Sequence, residues 1–337
     1  MHSNDTALAE VQPQHWQTAL QNAVKDPAEL LALLQLPEEL LPAAKLAAKQ
    51  FPLRVPRGFV ARMQSGDPHD PLLAQVLPLG AELIATPGFS TDPVGDTLAK
   101  ADAGIIHKYN QRALLISTGA CAVHCRYCFR RHFPYADEMA AKSSWQHSLQ
   151  WLKQNPDINE VILSGGDPLS LTDAKLAPLM DGLAALPQIH TLRLHSRQPV
   201  VLPERVTEAL IHTLKRSKKQ IVLVIHSNHA NELDQQVADA LNLFHQAGIH
   251  LLNQAVLLKG VNDHAEALIS LSRRLFSMQV MPYYLHLLDT VQGAAHFEVK
   301  LKKAKQIHKV MCANLPGYLV PRLVKETAGE PNKTLVT

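Results

Sequence analysis

The chain has 337 residues, 46% hydrophobic and 19% charged, with a formal net charge of +3, the balance of an ordinary soluble protein. Its basic residues are scattered apart from Lys215-Arg216 and Lys218-Lys219, so no nucleic-acid footprint stands out. No apolar run approaches the roughly 20 residues of a membrane span, and MHSNDTALAE has no basic-then-apolar leader, which leads us to expect a cytoplasmic protein without membrane contact.

From about residue 13 to residue 80 the pattern is helical. Asp26-Pro27 is a start signal before AELLALLQL, a second run opens at Pro37 as PEELLPAAKLAAKQF, and prolines at 52, 56, 68, 71 and 78 keep the helices short. PGFSTDPVGD is a turn-rich connector, so residues 1–100 are expected to form a helical N-terminal arm and residues 101–337 a second unit. Beyond residue 112 short β-branched or leucine-rich runs alternate with helical periods, the mark of βαβ units on a parallel sheet. The predicted strands are 113–117, 161–164, 191–195, 221–226, 250–258 and 281–288, with 318–324 as a closing strand. HKYNQR, just before the first of them, reads as a charged loop.

Nearly every predicted strand ends in polar residues. Cys121 follows the first, Ser164-Gly165-Gly166-Asp167 the second, His195-Ser196-Arg197 the third, and His226-Ser227-Asn228-His229 the fourth. Asn253-Gln254 lies in the fifth, and His286 to Asp289 closes the sixth. Active sites of (β/α) barrels lie at the C-terminal strand ends, so this spacing predicts an α/β protein with a partial, TIM-like (β/α) barrel and one shared mouth. Segment by segment the readings are plainer: SGGDP suits any strand-to-helix turn, and His226 and His229 suit hydrogen-bonded loops.

The chain has only four cysteines, three of them in CAVHCRYC: Cys121, Cys125 and Cys128, with Cys312 far away. Three thiolates without a fourth would leave one iron of a [4Fe–4S] cluster open to a small molecule. Tetrahedral zinc is the competing donor chemistry, with His124 or His132 completing a Cys3His set, and structural thiols are a third reading.

The Cys-x3-Cys-x2-Cys triad, with aromatic Tyr127 before the last cysteine, resembles the signature of radical S-adenosylmethionine (SAM) enzymes. Phe129-Arg130-Arg131-His132-Phe133 narrows the likeness to the lysine 2,3-aminomutase group. GFSTDP, HKYNQRALL, CFRRHFPYA, PYYLHLLDTVQGAAHF and GEPNKT point to its branch that makes (R)-β-lysine for elongation factor P. The likeness runs from PLRVPRGFVARM to the C-terminus and includes no cysteine-rich extension after Lys333.

The resemblance implies a radical SAM barrel with three cofactors: a [4Fe–4S] cluster on Cys121, Cys125 and Cys128, SAM, and pyridoxal phosphate (PLP). It implies SAM contacts from Ser164, Gly165, Gly166, Asp167, Ser196 and Arg197. Lys333 in GEPNKT matches the lysine that forms the Schiff base with PLP, although only Gly329 remains of the family's glycine run. Lys108, Tyr109 and Arg112 match phosphate contacts, Lys108 standing where the family has Arg, and Asn228 and Gln254 match further PLP-pocket positions. Arg130 matches the grip on the substrate α-carboxylate. Asp289 and Glu326 match the carboxylates that hold the distal ammonium of L-lysine, with Glu326 in place of an aspartate. The implied reaction removes a hydrogen from the substrate β-carbon by a deoxyadenosyl radical, moves the α-nitrogen to that carbon, and returns the hydrogen. The implied partners are a flavodoxin- or ferredoxin-type electron donor and the ligase that charges elongation factor P, with self-assembly into homo-oligomers left open. The alternative within the family is a catabolic or osmolyte-producing lysine 2,3-aminomutase, told apart by whether the product ends up on a protein; outside the resemblance, an iron–sulfur or zinc regulator without turnover would need no such set of pockets.

Overall fold

The computed structural model describes residues 11–136, 139–143 and 145–336. The arm begins with α1 (Val11–Gln21), α2 (Pro27–Leu33), α3 (Leu41–Gln50) and α4 (Arg57–Val60). The start signal before α2 is real: an Asp26 carboxylate oxygen accepts from the Ala28 amide at 2.9 Å, and Pro27 fills the first turn, where no amide partner is lost. Trp16, Leu30, Phe59 and Leu72 gather into a core that also contains Ala122, Val123, Val201 and Leu202. Arm and barrel therefore share buried surface directly at the cysteine segment.

The sheet has ten strands in sequence order. β1 (Lys100–Asp102) and β2 (Ile105–Tyr109) run antiparallel into β3 (Arg112–Thr118). From there β4 (Glu160–Gly165), β5 (Thr191–Ser196), β6 (Gln220–His226), β7 (His250–Val256), β8 (Met281–His286) and β9 (Arg322–Lys325) are each parallel to the strand before. β10 (Thr334–Leu335) folds back on β9 as a hairpin. The crossovers carry α5 (Gln146–Gln154), α6 (Asp173–Ala184), α7 (Gln198–Val201), α8 (Glu208–Lys215), α9 (Gln235–Gln246), α10 (Ala265–Ser277) and α11 (Leu301–Asn314). No ladder joins β1 to β10 among the described residues, so the barrel is partial, as expected. None of the helices among them is long and apolar enough to cross a membrane.

Strand alternation decides what faces where. Leu192 and Leu194 of β5, Leu223 and Ile225 of β6 and Val161 and Leu163 of β4 point outward into the core formed with Leu176 and Leu179 of α6, Phe244 of α9 and Leu271 of α10. Each such side chain contributes about 1.5–3 kcal/mol on burial. The alternate residues, Ile162 and Ser164, Arg193 and His195, His226, Gln254, Tyr284 and His286, line an interior cavity. Three sequence expectations shift. Strand 250–258 ends at Val256 and strand 281–288 at His286, while 318–324 opens with a 3-10 turn, Gly317–Leu319, and becomes strand only at Arg322, after Pro321. HKYNQR is not a loop. Its first half completes β2, and Tyr109 pairs with Arg112 around a tight turn in which Gln111 takes φ 63°.

Candidate active site

The cysteine segment leaves β3 at Thr118 and is buttressed from β4. The Gly166 amide donates to the Thr118 carbonyl at 2.6 Å, and the Asp167 amide to the Ala120 carbonyl at 2.8 Å. A Cβ on Gly166 would overlap the Ala120 carbonyl oxygen, and Gly165 sits at φ 119°. These glycines are thus required by the close approach of two protein backbones, a reason the sequence alone does not show. Gly166→Ala is expected to cost about 1–3 kcal/mol through overpacking and to displace the cysteine segment. Thermal unfolding and iron content after reconstitution measure both, against Gly317→Ala, whose added methyl meets nothing within 4 Å; equal results for the two variants would refute the buttress.

Asp167 clamps the neighbouring loops. One carboxylate oxygen accepts from Ser196 Oγ at 2.7 Å and the Leu169 amide at 3.0 Å, the other from the Arg197 and Gln198 amides at 2.8 and 3.0 Å. Burial raises its pKa, and these donors oppose the rise. Arg197 then donates to Cys125 Sγ at 2.8 Å, to Gln75 Oε1 at 2.6 Å and to Glu232 Oε2 at 3.0 Å. Asn228 Nδ2 donates to the Tyr127 hydroxyl at 2.7 Å and to Gln75 Oε1 at 2.9 Å, and Asn228 Oδ1 accepts from the Val256 amide at 2.8 Å. A buried arm residue, Gln75, thereby joins β6, the β7 end and the cysteine turn. Glu82 does the same on the other side: its carboxylate takes Arg126 at 2.8 and 2.5 Å and Arg131 at 2.8 Å, both guanidinium groups lying over the Phe51 ring.

The donor set at the triad suits a cluster. Burial pushes the Cys121 thiol well up and the Cys128 thiol up to about 11, so thiolates there need positive charge, which iron supplies beside Arg197. Neither candidate fourth zinc ligand joins them: His124 Nδ1 bonds to the Pro52 carbonyl at 2.9 Å and His132 Nε2 to the Gln292 carbonyl at 3.2 Å. Among the described residues no three His, Cys, Asp or Glu side chains group closely enough to share one ion.

On the opposite wall, Arg130 Nε donates to Asp96 at 2.6 Å and its Nη1 to Ser164 Oγ at 2.9 Å. Lys108 pairs with the other Asp96 oxygen at 2.6 Å. Burial alone would raise Asp96, but Arg130 and Lys108 outweigh it and hold the carboxyl below its usual range. Arg112 lies over the Tyr109 ring, whose hydroxyl donates to Glu326 Oε1 at 2.5 Å, while Lys333 Nζ meets Glu326 Oε2 at 2.5 Å. Burial would raise Glu326 too, and Lys333, with Tyr109 and Lys108, together outweigh it and hold the carboxyl below its usual range. Asp289 is different: burial lifts it to about 7, Lys333 only partly counters this, and the carboxylate has no hydrogen-bond partner among the described residues.

One cavity of about 290 Å³ is lined by all the sequence-predicted residues except Ser196, which stays behind Asp167. His195 Nε2 and His286 Nε2 at its wall are buried without a protein partner, and His226 pairs with Gln254 at 2.7 Å. Burial keeps all three imidazoles neutral. Such orphaned polar atoms mark a wall built for a polar ligand, and cationic Lys108, Arg112 and Arg130 with a lysine amine fit a phosphorylated aldehyde. His229, by contrast, caps a turn through Asn231 and does not line the cavity. Sequence reasoning missed Asp96, Gln75, Glu82 and Glu232, and it placed His195 and His286 at the mouth without giving them a role. The four missed residues carried no signal in the sequence, because each acts through a partner distant in the chain.

The sequence model of the Radical SAM superfamily matches residues 115–271. The L-lysine 2,3-aminomutase of Escherichia coli (strain K12) is 51% identical over 320 residues, covering 95% of this chain and 93% of its own. That of Haemophilus influenzae is 48% identical, covering 96% and 95%, and that of Clostridium subterminale 30% identical, covering 95% and 77%.

Proposed function

The chain belongs to the L-lysine 2,3-aminomutase family of radical SAM enzymes, and on that premise we propose that it converts free L-lysine to (R)-β-lysine for attachment to elongation factor P. The observation that carries the reading is the single cavity shared by the cysteine triad, Lys333, Arg130 and Asp289. The [4Fe–4S] cluster and SAM supply, when bound, a deoxyadenosyl radical, and PLP carries the migrating nitrogen.

The chain's own part is holding and orienting. Cys121, Cys125 and Cys128 hold the cluster, with Ser164, Gly165, Gly166, Asp167, Ser196 and Arg197 forming the SAM side of the pocket. Lys333 binds PLP, Lys108, Tyr109 and Arg112 take its phosphate, and Asn228 and Gln254 border it. Arg130 takes the substrate carboxylate, and Asp289, with Glu326 beside it, faces the distal ammonium. Arm and barrel walls around the pocket limit water, which suits a radical that abstracts unselectively. We place the reaction in the cytoplasm, where a small electron-transfer protein supplies the electron.

Anaerobic reconstitution with iron and sulfide, followed by SAM, PLP, reductant and L-lysine, is expected to give β-lysine on chiral analysis; SAM cleavage without β-lysine overturns the activity. Deletion of the gene is expected to remove the β-lysyl mass from elongation factor P. An unchanged mass would leave a lysine aminomutase with another role.

A further inference from the structure

Register sets Arg112 of β3 beside Glu160 of β4, and Ile162, two residues further along β4, beside Arg193 of β5. The two arginines therefore flank Glu160 from the neighbouring strands, and both line the cavity. Arg193 is held by one edge only. Its Nη2 donates to Glu160 Oε2 at 2.8 Å, whereas Nε is buried without a partner and Nη1 has no acceptor among the described residues. Near it on β8 the Tyr283 hydroxyl donates to the Tyr284 hydroxyl at 3.0 Å, which leaves the Tyr284 proton for another acceptor on the same cavity wall. Burial and the Tyr284 bond raise the Tyr283 hydroxyl to about 12, against the neighbouring charge of Arg193, so both phenols stay protonated. A buried guanidinium edge without an acceptor calls for an anion. Lys108 falls short of being the second strong cation here: its ammonium already gives protons to Asp96 Oδ1 and to the Val94 carbonyl, both at 2.6 Å. One proton remains to it, where a guanidinium fork offers two in one plane.

We propose that Arg193, held by Glu160, is a ligand of the PLP phosphate, the second guanidinium of that subsite beside Arg112. The inference rests on the PLP reading given above. A phosphate monoester is close to a dianion at neutral pH, and charge-assisted bonds from guanidinium groups are its strongest side-chain contacts. Arg112 lies over the Tyr109 ring and has no carboxylate partner among the described residues, so its charge is open to the phosphate. Glu160 takes one edge of Arg193 and thereby fixes the plane in which the other edge presents its protons. Arg193 is far from a general acid or base in character: it holds the cofactor by its phosphate and so sets how deep the ring sits in the barrel.

The test compares PLP with pyridoxal, the same aldehyde without its phosphate, each titrated into PLP-free protein and followed by Schiff-base absorbance. Arg193→Gln is expected to weaken PLP binding about 10- to 100-fold and pyridoxal binding less than about threefold. Pyridoxal thus reports whether the pocket is still folded. Unchanged PLP binding, or equal weakening of the two aldehydes, overturns the proposal. Because Arg193→Gln also strands the Glu160 carboxylate, the double variant Glu160→Gln, Arg193→Gln decides between the causes. It is expected to keep the selective loss of PLP, whereas PLP affinity restored to the wild-type value would trace the loss to the stranded carboxylate and overturn the proposal. Borohydride reduction of the wild-type complex tests the underlying reading separately. PLP trapped on a lysine other than Lys333 overturns the cofactor assignment and the proposal with it, while PLP on Lys333 without the selective loss overturns the proposal alone.

Discussion

Replacing Cys121, Cys125 or Cys128 with Ala is expected to abolish SAM cleavage, whereas Cys312→Ala is silent. Cys125 and Cys128 bound a turn closed by the Cys128 amide on the Cys125 carbonyl, and all three thiols line the cavity. Cys312 lies exposed on α11, with His308 as its neighbour at 3.8 Å. A cluster with three protein ligands keeps one iron for SAM; loss of any thiolate leaves two and removes the geometry on which electron transfer to SAM depends. Iron and sulfide content, the visible and EPR spectra, and 5′-deoxyadenosine release measure the effect. Retention of SAM cleavage by any of the three variants, or stoichiometric zinc without iron after anaerobic purification, would sink the assignment.

Asp289→Asn is expected to reduce activity on L-lysine by roughly 10- to 150-fold, the equivalent of losing a charge-assisted contact of about 1.5–3 kcal/mol. SAM cleavage in the absence of substrate should change little, since no hydrogen bond joins the Asp289 side chain to the three cysteines among the described residues. Its pH dependence is a second signature. Burial lifts the Asp289 carboxyl to about 7, so below that pH the protonated form prevails and cannot pair with an ammonium. Rising pH removes the proton, so KM for L-lysine should fall as pH rises through about 7 and level off above it. The Asn variant should lose this dependence. A wild-type KM that rises with pH in this range, or an Asn variant with the same pH profile, would contradict the assignment.

The fold was legible where physics is local. Strands β3 to β8 bury one face against helices, so they appear as leucine and β-branched runs, and the polar residues that end them announced the mouth. The β1–β2 hairpin and β10 were not legible: they are short and partly exposed, and the turn at Gln111 uses a non-glycine residue at positive φ. The seats of Lys333, Arg130 and the triad came from motif likeness, which reaches residue types but not their partners. Asp96 meets Arg130 across 34 residues and Gln75 meets Glu232 across 157, contacts that exist only once the chain has folded. For the same reason the sequence suggested a ligand-facing reason for Gly166, while the structure adds the Ala120 carbonyl pressed against it.

The two ends of the open sheet meet through the hydroxyl of Tyr109 and the carboxylate of Glu326, residues 217 apart in the chain. The entropy of closing so long a loop grows only slowly with length, but nothing repays it until the intervening strands are in register. This latch therefore forms late in folding. The β9–β10 hairpin makes the Lys333–Glu326 pair locally, and the latch then presses that pair against β2, so Lys333 takes its place in the cavity wall only after the intervening strands stand in register.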